Sequence, residues 1–356
     1  MLATAVDVGT TLRFVASARL DVVSANYEGR VNLDPAEMSR VAPPREMPEW
    51  GRYVWAAFAV LRDRMPARPI AFTGRIEGRL PAAGLSSSAS VLLAYLNAWA
   101  SVNEISLTPR EQVNLAVDAE NEGIGVACGV LDPAAIVGSE RGRLLLIDSD
   151  SVSWERVERD VADESDEGGY SFLVFVTGKE RHLVSTDFNR RVTECRDAAR
   201  WASQRLGAPE VDRLGDVDRA ALRSLIDDMP TPLQGRARHF VSESDRVERG
   251  RKAWSAGRLE EFGGLMNDSC RSSVANYETG SKELIVLQRI WESTAGVLGA
   301  RFSGAGFGGC SVALVRAESA LLVREQVLAR FTQAFPELTQ RAEVIAVASA
   351  DGLGVS

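Results

Sequence analysis

The stretch Pro81-Ala82-Ala83-Gly84-Leu85-Ser86-Ser87-Ser88-Ala89-Ser90 decides how this chain is read. It follows a strand-like run, Pro69–Phe72, and precedes an apolar run, Val91–Trp99, that reads as helix. Gly84 allows a tight backbone path with no side chain in the way. Ser86, Ser87 and Ser88 set three hydroxyls and several free N–H groups at the helix start. Orphan amides and partial positive charge there suit an anion such as phosphate. A serine-rich N-cap is the plainer reading of the same letters and, taken alone, the commoner one. Two further stretches, at Asp132 and at Gly304–Gly309, weigh against it.

The bulk composition sets limits. The 356 residues suit about two domains. Hydrophobic content of 45% and charged content of 25% are ordinary for a globular protein. A formal net charge of -8 argues against a nucleic-acid binder and against an anionic membrane surface. It leaves room for a phosphate ligand, which local backbone dipoles can hold. The four cysteines, Cys128, Cys195, Cys270 and Cys310, have no CxxC spacing, and His182 and His239 are the two histidines. No zinc site or disulfide framework is expected, and a cytoplasmic location is. The opening MLATAVDVGTTLRF does not read as a signal peptide, so none is expected, and no apolar run reaches membrane-spanning length.

Along the chain, Ala3–Val8, Thr11–Ser17 and Leu20–Ala25 read as short strands, and Glu49–Leu61 as a helix. Trp50 and Tyr53 on that helix could line a base pocket, but core packing is the commoner role. Thr108-Pro109-Arg110-Glu111 is a capping box with proline at the first helical position, opening a helix to about Glu120. Glycines then interrupt E-N-E-G-I-G-V-A-C-G-V-L-D-P, and Arg143–Ile147 reads as a strand. The acidic, turn-rich stretch Arg156–Gly169 reads as a surface connection. It divides the chain into domains at 1–165 and 166–356. The second opens with a strand at Phe172–Thr177 and continues through helices at Ser185–Leu206, Ala220–Asp228, Gly235–Ala256, Leu259–Arg271 and Ser281–Glu292. Strands at Gly296–Phe302 and Ser311–Arg316, a helix at Ser319–Phe335 and a strand at Glu343–Val347 complete it. Strand runs and helix runs are segregated, so the fold class is α+β.

Three places carry chemistry. Asp132 lies in a glycine-rich, otherwise apolar segment, where a carboxylate is costly unless partnered. It is a candidate general base for a substrate hydroxyl, or equally a turn aspartate bonded to backbone amides. Glu120 ends the second helix; such a residue is usually solvated. Turned inward beside Ser88, it would complete a carboxylate and hydroxyl pair of the hard oxygens that Mg²⁺ accepts. Ser303-Gly304-Ala305-Gly306-Phe307-Gly308-Gly309 is either a tight hairpin or bare backbone pressed against a ligand or another loop. G-x-x-x-x-G-K-[ST] and G-x-S-x-G are both absent, which removes the P-loop proteins and disfavours a serine hydrolase.

Taken together, G-L-S-S-S-A-S (Gly84–Ser90), C-G-V-L-D (Cys128–Asp132) and S-G-A-G-F-G-G-C (Ser303–Cys310) resemble the GHMP small-molecule kinases, in particular their galactokinase branch. Ser24–Glu28, Leu144–Asp148, Arg181, His182, Glu194–Ala199, Phe262–Met266 and the Tyr277–Leu284 region extend the likeness through most of the chain. The resemblance implies a two-domain α+β fold with ATP and a sugar in the cleft between domains. It implies that Gly84, Leu85, Ser86, Ser87, Ser88, Ala89 and Ser90 wrap the triphosphate, and that Gly304, Gly306 and Gly308 buttress them. It further implies that Ser88 and Glu120 ligate Mg²⁺, that Asp132 takes the proton of an anomeric hydroxyl, and that Gly129, Asp132 and Phe188 meet the substrate. The implied reaction turns ATP and an aldose into ADP and a sugar 1-phosphate. A small-molecule sugar partner, no nucleic acid, no membrane, and a monomer or homodimer are expected.

The departures from that branch fall mostly on the sugar side. The segment G-R-x-N-L-I-G-E-H-x-D-Y is not found; the chain opens after its expected place, and the Gly29–Leu33 echo is chance. The phosphate loop is one residue short between Pro81 and Gly84, with Ala83 before the glycine. Pro133 stands for a glutamine, Phe188 for a sugar-binding tyrosine and Cys270 for a frequent histidine. The expected acceptor is galactose or a related or modified aldose, and these losses favour one that differs from galactose: an amino sugar, a pentose, a uronic acid, or a larger or already phosphorylated aldose. The alternatives are a regulatory protein that binds sugar and ATP but has lost catalysis, and a start codon lying farther upstream.

Overall fold

The computed structural model describes residues 1–39, 43–44, 46–79, 84–126, 128–160, 169–179, 186–304, 306 and 309–354, with the side chains of 39 and 186–188 excepted. Pro81 and Gly308 therefore lie outside the described residues, and so does the side chain of Phe188. The chain divides into two compact units, Met1–Glu158 with Ala348–Ser356, and Arg159–Val347. Helices and sheets are segregated within each, giving a two-domain α+β fold.

The first unit begins with β1 (Leu2–Ala3), β2 (Thr10–Ser17), β3 (Leu20–Ser24) and β4 (Arg30–Leu33). Helix α1 (Arg52–Leu61) follows a 3-10 turn at Glu49–Gly51 and leads to β5 (Ala71–Gly78). Helices α2 (Ser87–Val102), α3 (Pro109–Asp118) and α4 (Leu131–Gly138) precede β6 (Leu144–Asp148) and β7 (Ser153–Val157). One sheet has the order β2-β5-β3-β4, antiparallel except for the parallel β3–β5 pair; the other is antiparallel, β1-β6-β7. The core forms where α1 and α2 cover the larger sheet. Trp99 of α2 meets Phe58 of α1 and Phe72 of β5 edge-on, each at 5.0 Å, and its indole N–H donates to Val54 O. Such pairs add about 0.5–1.5 kcal/mol each beyond burial, so this residue locks α2 to both neighbours. Trp50 and Tyr53 pack partly buried against the same core, and the Trp50 indole donates to Glu28 O.

The second unit is built on the antiparallel sheet β11-β8-β10-β9, from β8 (Ser171–Val176), β9 (Val297–Phe302), β10 (Cys310–Val315) and β11 (Glu343–Val347). Its helices are α5 (Thr186–Leu206), α6 (Arg219–Leu225), α7 (Leu233–Ser255), α8 (Leu259–Ala275), α9 (Lys282–Glu292) and α10 (Ala320–Ala334). Phe175 of β8 packs edge-on against Phe331 at 4.6 Å and Trp291 at 6.2 Å, fixing α10 and α9 to one sheet face. No described helix is long and apolar enough to cross a membrane. All four cysteines are free thiols.

Three local expectations need correction. The strand before the serine loop is Ala71–Gly78, not Pro69–Phe72. Its charged residues Arg75 and Glu77 alternate with buried Ile76, so they face outward on a half-buried strand and do not end it. Arg30–Leu33 and Ser153–Val157 are strands that short, polar sequence concealed. The glycine-broken segment around Asp132 resolves into α4, with Pro133 in its first turn, where a missing N–H costs nothing.

Candidate active site

The mouth of α2 is not an ordinary cap. Ser86 occupies the N-cap position in the left-handed conformation (φ 57°, ψ 34°), and its hydroxyl makes no capping bond. The first bond of the helix runs from Ser90 N–H to Ser86 O at 3.0 Å. The amides of Ser87, Ser88 and Ala89 precede that bond, at the positive end of a 16-residue helix. A left-handed residue followed by helical ones also turns successive N–H groups toward one point, an anion-binding nest. Buried Ala89, Leu92 and Leu93 hold this end of α2 in the core. Gly84, with φ 106°, brings the chain into the turn.

Glu120 reaches this mouth because α3 does not end as an α-helix. Residues Ala119–Ile124 form a turn of π-helix, with Gly125 N–H donating to Glu120 O at 3.0 Å. The turn packs on α1 through Ala56 and Ala119. Gly123 permits that approach, since a Cβ there would lie 2.5 Å from the Ala56 Cβ. Glu120 is 5% exposed, and the Ser88 hydroxyl donates to its Oε1 at 2.5 Å. The Cys128 thiol donates to its Oε2 at 2.9 Å, and Cys128 N–H donates to the Asn121 side chain at 2.8 Å. Burial first, then the neighbouring Glu120 carboxylate, pushes the Cys128 thiol well above its ordinary range, so it stays protonated and serves as a donor. Cys128 as the second anchor of Glu120 is a residue role the sequence alone did not single out.

Asp132 sits half-buried in the first turn of α4. Its charge also raises the Cys128 thiol, which places the Asp132 carboxylate in the electrostatic neighbourhood of the Glu120 group. The far end of α4 is held by the C-terminal tail: Gly352 N–H donates to Ser139 O and Leu353 N–H to Ile136 O. Gly129 is exposed, and a Cβ there would meet nothing within 4 Å. The structure thus brings Ser88, Glu120, Cys128 and Asp132 into one region of the first unit. In the second unit, Gly304 and Gly306 form the turn between β9 and β10, both at positive φ, with Gly306 buried.

Among the described residues no group of three or more His, Cys, Asp or Glu could hold a metal ion by itself. Ser88 Oγ and Glu120 Oε1 are nonetheless adjacent hard oxygens beside an anion-seeking helix mouth. That donor set suits Mg²⁺, which takes one or two protein oxygens and fills the rest of its octahedron with water and phosphate.

Residues 52–140 match the GHMP kinases N terminal domain family, and residues 251–333 the GHMP kinases C terminal family. The chain is 34% identical over 349 residues to a galacturonokinase of Arabidopsis thaliana, covering 93% of this chain and 82% of that protein. It is 33% identical over 315 residues to a galactokinase of Lactococcus lactis subsp. lactis, covering 87% of this chain and 76% of that protein. The crystal structure of Lactococcus lactis galactokinase complexed with galactose matches with a TM-score of 0.85 at 28% identity, over 98% of this chain and 87% of that one.

Proposed function

The chain belongs to the galactokinase-like branch of the GHMP kinases, and from that premise we propose that it is an ATP-dependent sugar kinase that phosphorylates an anomeric hydroxyl. The observation that carries the reading is the Ser88–Glu120 pair set against the uncapped mouth of α2. In the proposed mechanism the amides of Ser87, Ser88 and Ala89 and the Gly84–Ser90 turn hold the nucleotide's phosphates. Ser88 and Glu120 hold Mg²⁺, which when bound neutralises charge on the transferring group. Asp132 accepts the proton of the sugar's hydroxyl, and Gly129 leaves room for the acceptor. The loop of Gly304, Gly306 and Gly308 supports the phosphate end. Phosphoryl transfer depends chiefly on positioning and charge neutralisation, which this set provides.

For the acceptor, Pro133 and Phe188 replace polar residues expected in the branch, so a sugar differing from galactose in its substituents is favoured. A galacturonokinase among the similar proteins makes a uronic acid the first aldose to try. The test is turnover on an aldose panel with NMR identification of the phosphate ester, followed by Asp132→Asn. The variant is expected to lose turnover by roughly 10²–10⁴-fold and to bind nucleotide as before. Unchanged turnover would remove Asp132 from the chemistry, and an ester at any other carbon would overturn the anomeric assignment.

A further inference from the structure

The second unit holds four charged residues that the proposed chemistry does not use. Arg236 of α7 and Arg191 of α5 are 1% and 4% exposed in their side chains. Arg236 Nε donates to Glu194 Oε2 at 2.7 Å, and Arg191 NH1 donates to the same oxygen at 3.0 Å. Both guanidinium groups also donate to Glu278 Oε2, each at 3.0 Å. The ring closes on backbone: Arg191 NH2 donates to Glu278 O at 3.1 Å, and Arg236 NH1 donates to Asn276 O. Two buried guanidinium groups, each paired with both carboxylates, therefore donate to two carbonyls of the turn that follows α8.

Such a cluster is a poor source of stability, because desolvation offsets most of its attraction. Two further features subtract from it. Arg191 Nε is buried with no partner among the described residues. Glu278 adopts φ 55°, a left-handed conformation that disfavours a residue with a Cβ. What the cluster supplies is geometry, and the geometry leads to the glycine loop. Two residues beyond Glu278, Gly280 N lies 3.4 Å from where a Gly306 Cβ would stand, and the Thr279 Cβ is equally close. Ser281 N–H donates to Gly306 O at 3.0 Å. Phe302 closes the other side, 2.9 Å from that Cβ position.

We infer that Arg191, Arg236, Glu194 and Glu278 are positioning residues for the reaction, fixing the Gly306 loop through the turn Asn276–Ser281. The inference rests on the kinase reading for what the loop does, and on contacts within the second unit for how the loop is held. The planar fork of arginine suits this task, since each guanidinium binds carboxylate and carbonyl at once; lysine offers one point charge. Hydrogen bonding to Arg236 holds the Glu278 carboxyl below its usual range, so it stays charged at neutral pH.

The experiment uses Glu278→Ala, at a side chain 52% exposed, with Arg236→Lys as the second variant, and circular dichroism checks that each is folded. Each is assayed for KM of ATP and of the sugar, and for hydrogen exchange of the peptide 300–311. The expected result is a KM for ATP raised about ten- to a hundredfold, a KM for the sugar within about twofold of wild type, and faster exchange in the peptide. A lower Tm with KM for ATP and exchange unchanged would overturn the inference. Should the wild type phosphorylate no aldose, the kinase reading fails, and exchange still decides the cluster: faster exchange supports the brace and an unchanged rate refutes it.

Discussion

Glu120→Gln separates catalysis from stability at the site, because the two effects have different sizes. The carboxylate is 5% exposed and accepts from Ser88 at 2.5 Å and Cys128 at 2.9 Å. Glutamine keeps one acceptor oxygen and turns an NH₂ toward the other donor. One hydrogen bond to a charged group is lost, about 1.5–3 kcal/mol. Against this, a buried carboxylate need no longer be desolvated, an effect of similar size. The net change in folding free energy is therefore small, about 1 kcal/mol in either direction. Catalysis has no such compensation in the proposed mechanism, where Glu120 supplies the formal negative charge of the pair assigned to Mg²⁺. A loss of about 10²–10³ in kcat/KM is expected, together with a raised Mg²⁺ requirement. The assay is ADP release over a Mg²⁺ titration, alongside urea unfolding. Ser88→Ala and the double variant complete a cycle whose stability coupling, about 0.5–3 kcal/mol, reports the 2.5 Å contact without any turnover. Wild-type Mg²⁺ dependence in Glu120→Gln would refute the metal role. Zero coupling would refute the contact itself.

Three further outcomes follow from the fold. Thr108→Ala removes the acceptor for Glu111 N–H at the start of α3 and should destabilise the protein by about 1 kcal/mol in urea unfolding. Glu111 itself, bonded first by Thr108 N–H and then by the Thr108 hydroxyl and Arg64, has its carboxyl held down to about 2. Its contribution is complete above the unfolded value near 4.5 and is lost as pH falls toward 2, so Glu111→Gln should flatten the acid limb of the unfolding midpoint. His239, whose Nδ1 lies 2.9 Å from Ser272 Oγ, is pulled down to about 4, chiefly by burial and against the opposing pull of Glu243. Between pH 6.5 and 4 the unfolded chain binds a proton there that the folded chain refuses. Stability therefore falls with acidification by at most about 1.4 kcal/mol per pH unit. An equal slope in His239→Gln would refute this.

How much of this was legible depends on which forces decide each element. The α3 start was readable in full, because Thr108, Pro109 and Glu111 act on one another across three residues, and the structure has both halves of that capping box. Helices α5, α7, α8 and α10 of the second unit are long, at 15 to 23 residues, so their existence follows from pattern. What sequence hid was decided by tertiary contact. Glu120 turns inward only because Gly123 lets α1 close on a π-turn, and nothing in E-N-E-G-I-G marks that geometry. The return of Ala348–Ser356 to the first unit, through the Val6–Ser349 bridge, leaves no local signal either. Arg191 and Arg236 look like surface residues on charged helices; their burial follows from where α5 and α7 cross the turn at Glu278.

At the serine loop a structural N-cap and an anion site make opposite demands on Ser86. A serine N-cap has extended backbone and uses its hydroxyl on one of the first amides, which satisfies the helix end and removes its appetite for an anion. Ser86 does neither. It accepts the left-handed conformation, a cost of about 1–2 kcal/mol that glycine would avoid, and its hydroxyl makes no bond to the helix's first amides. A sequence free to drift would replace that arrangement with a cap, since the gain approaches 1 kcal/mol or more. Strain held beside uncommitted amides, with a buried carboxylate on the adjoining hydroxyl, has a physical rationale only if something anionic completes it.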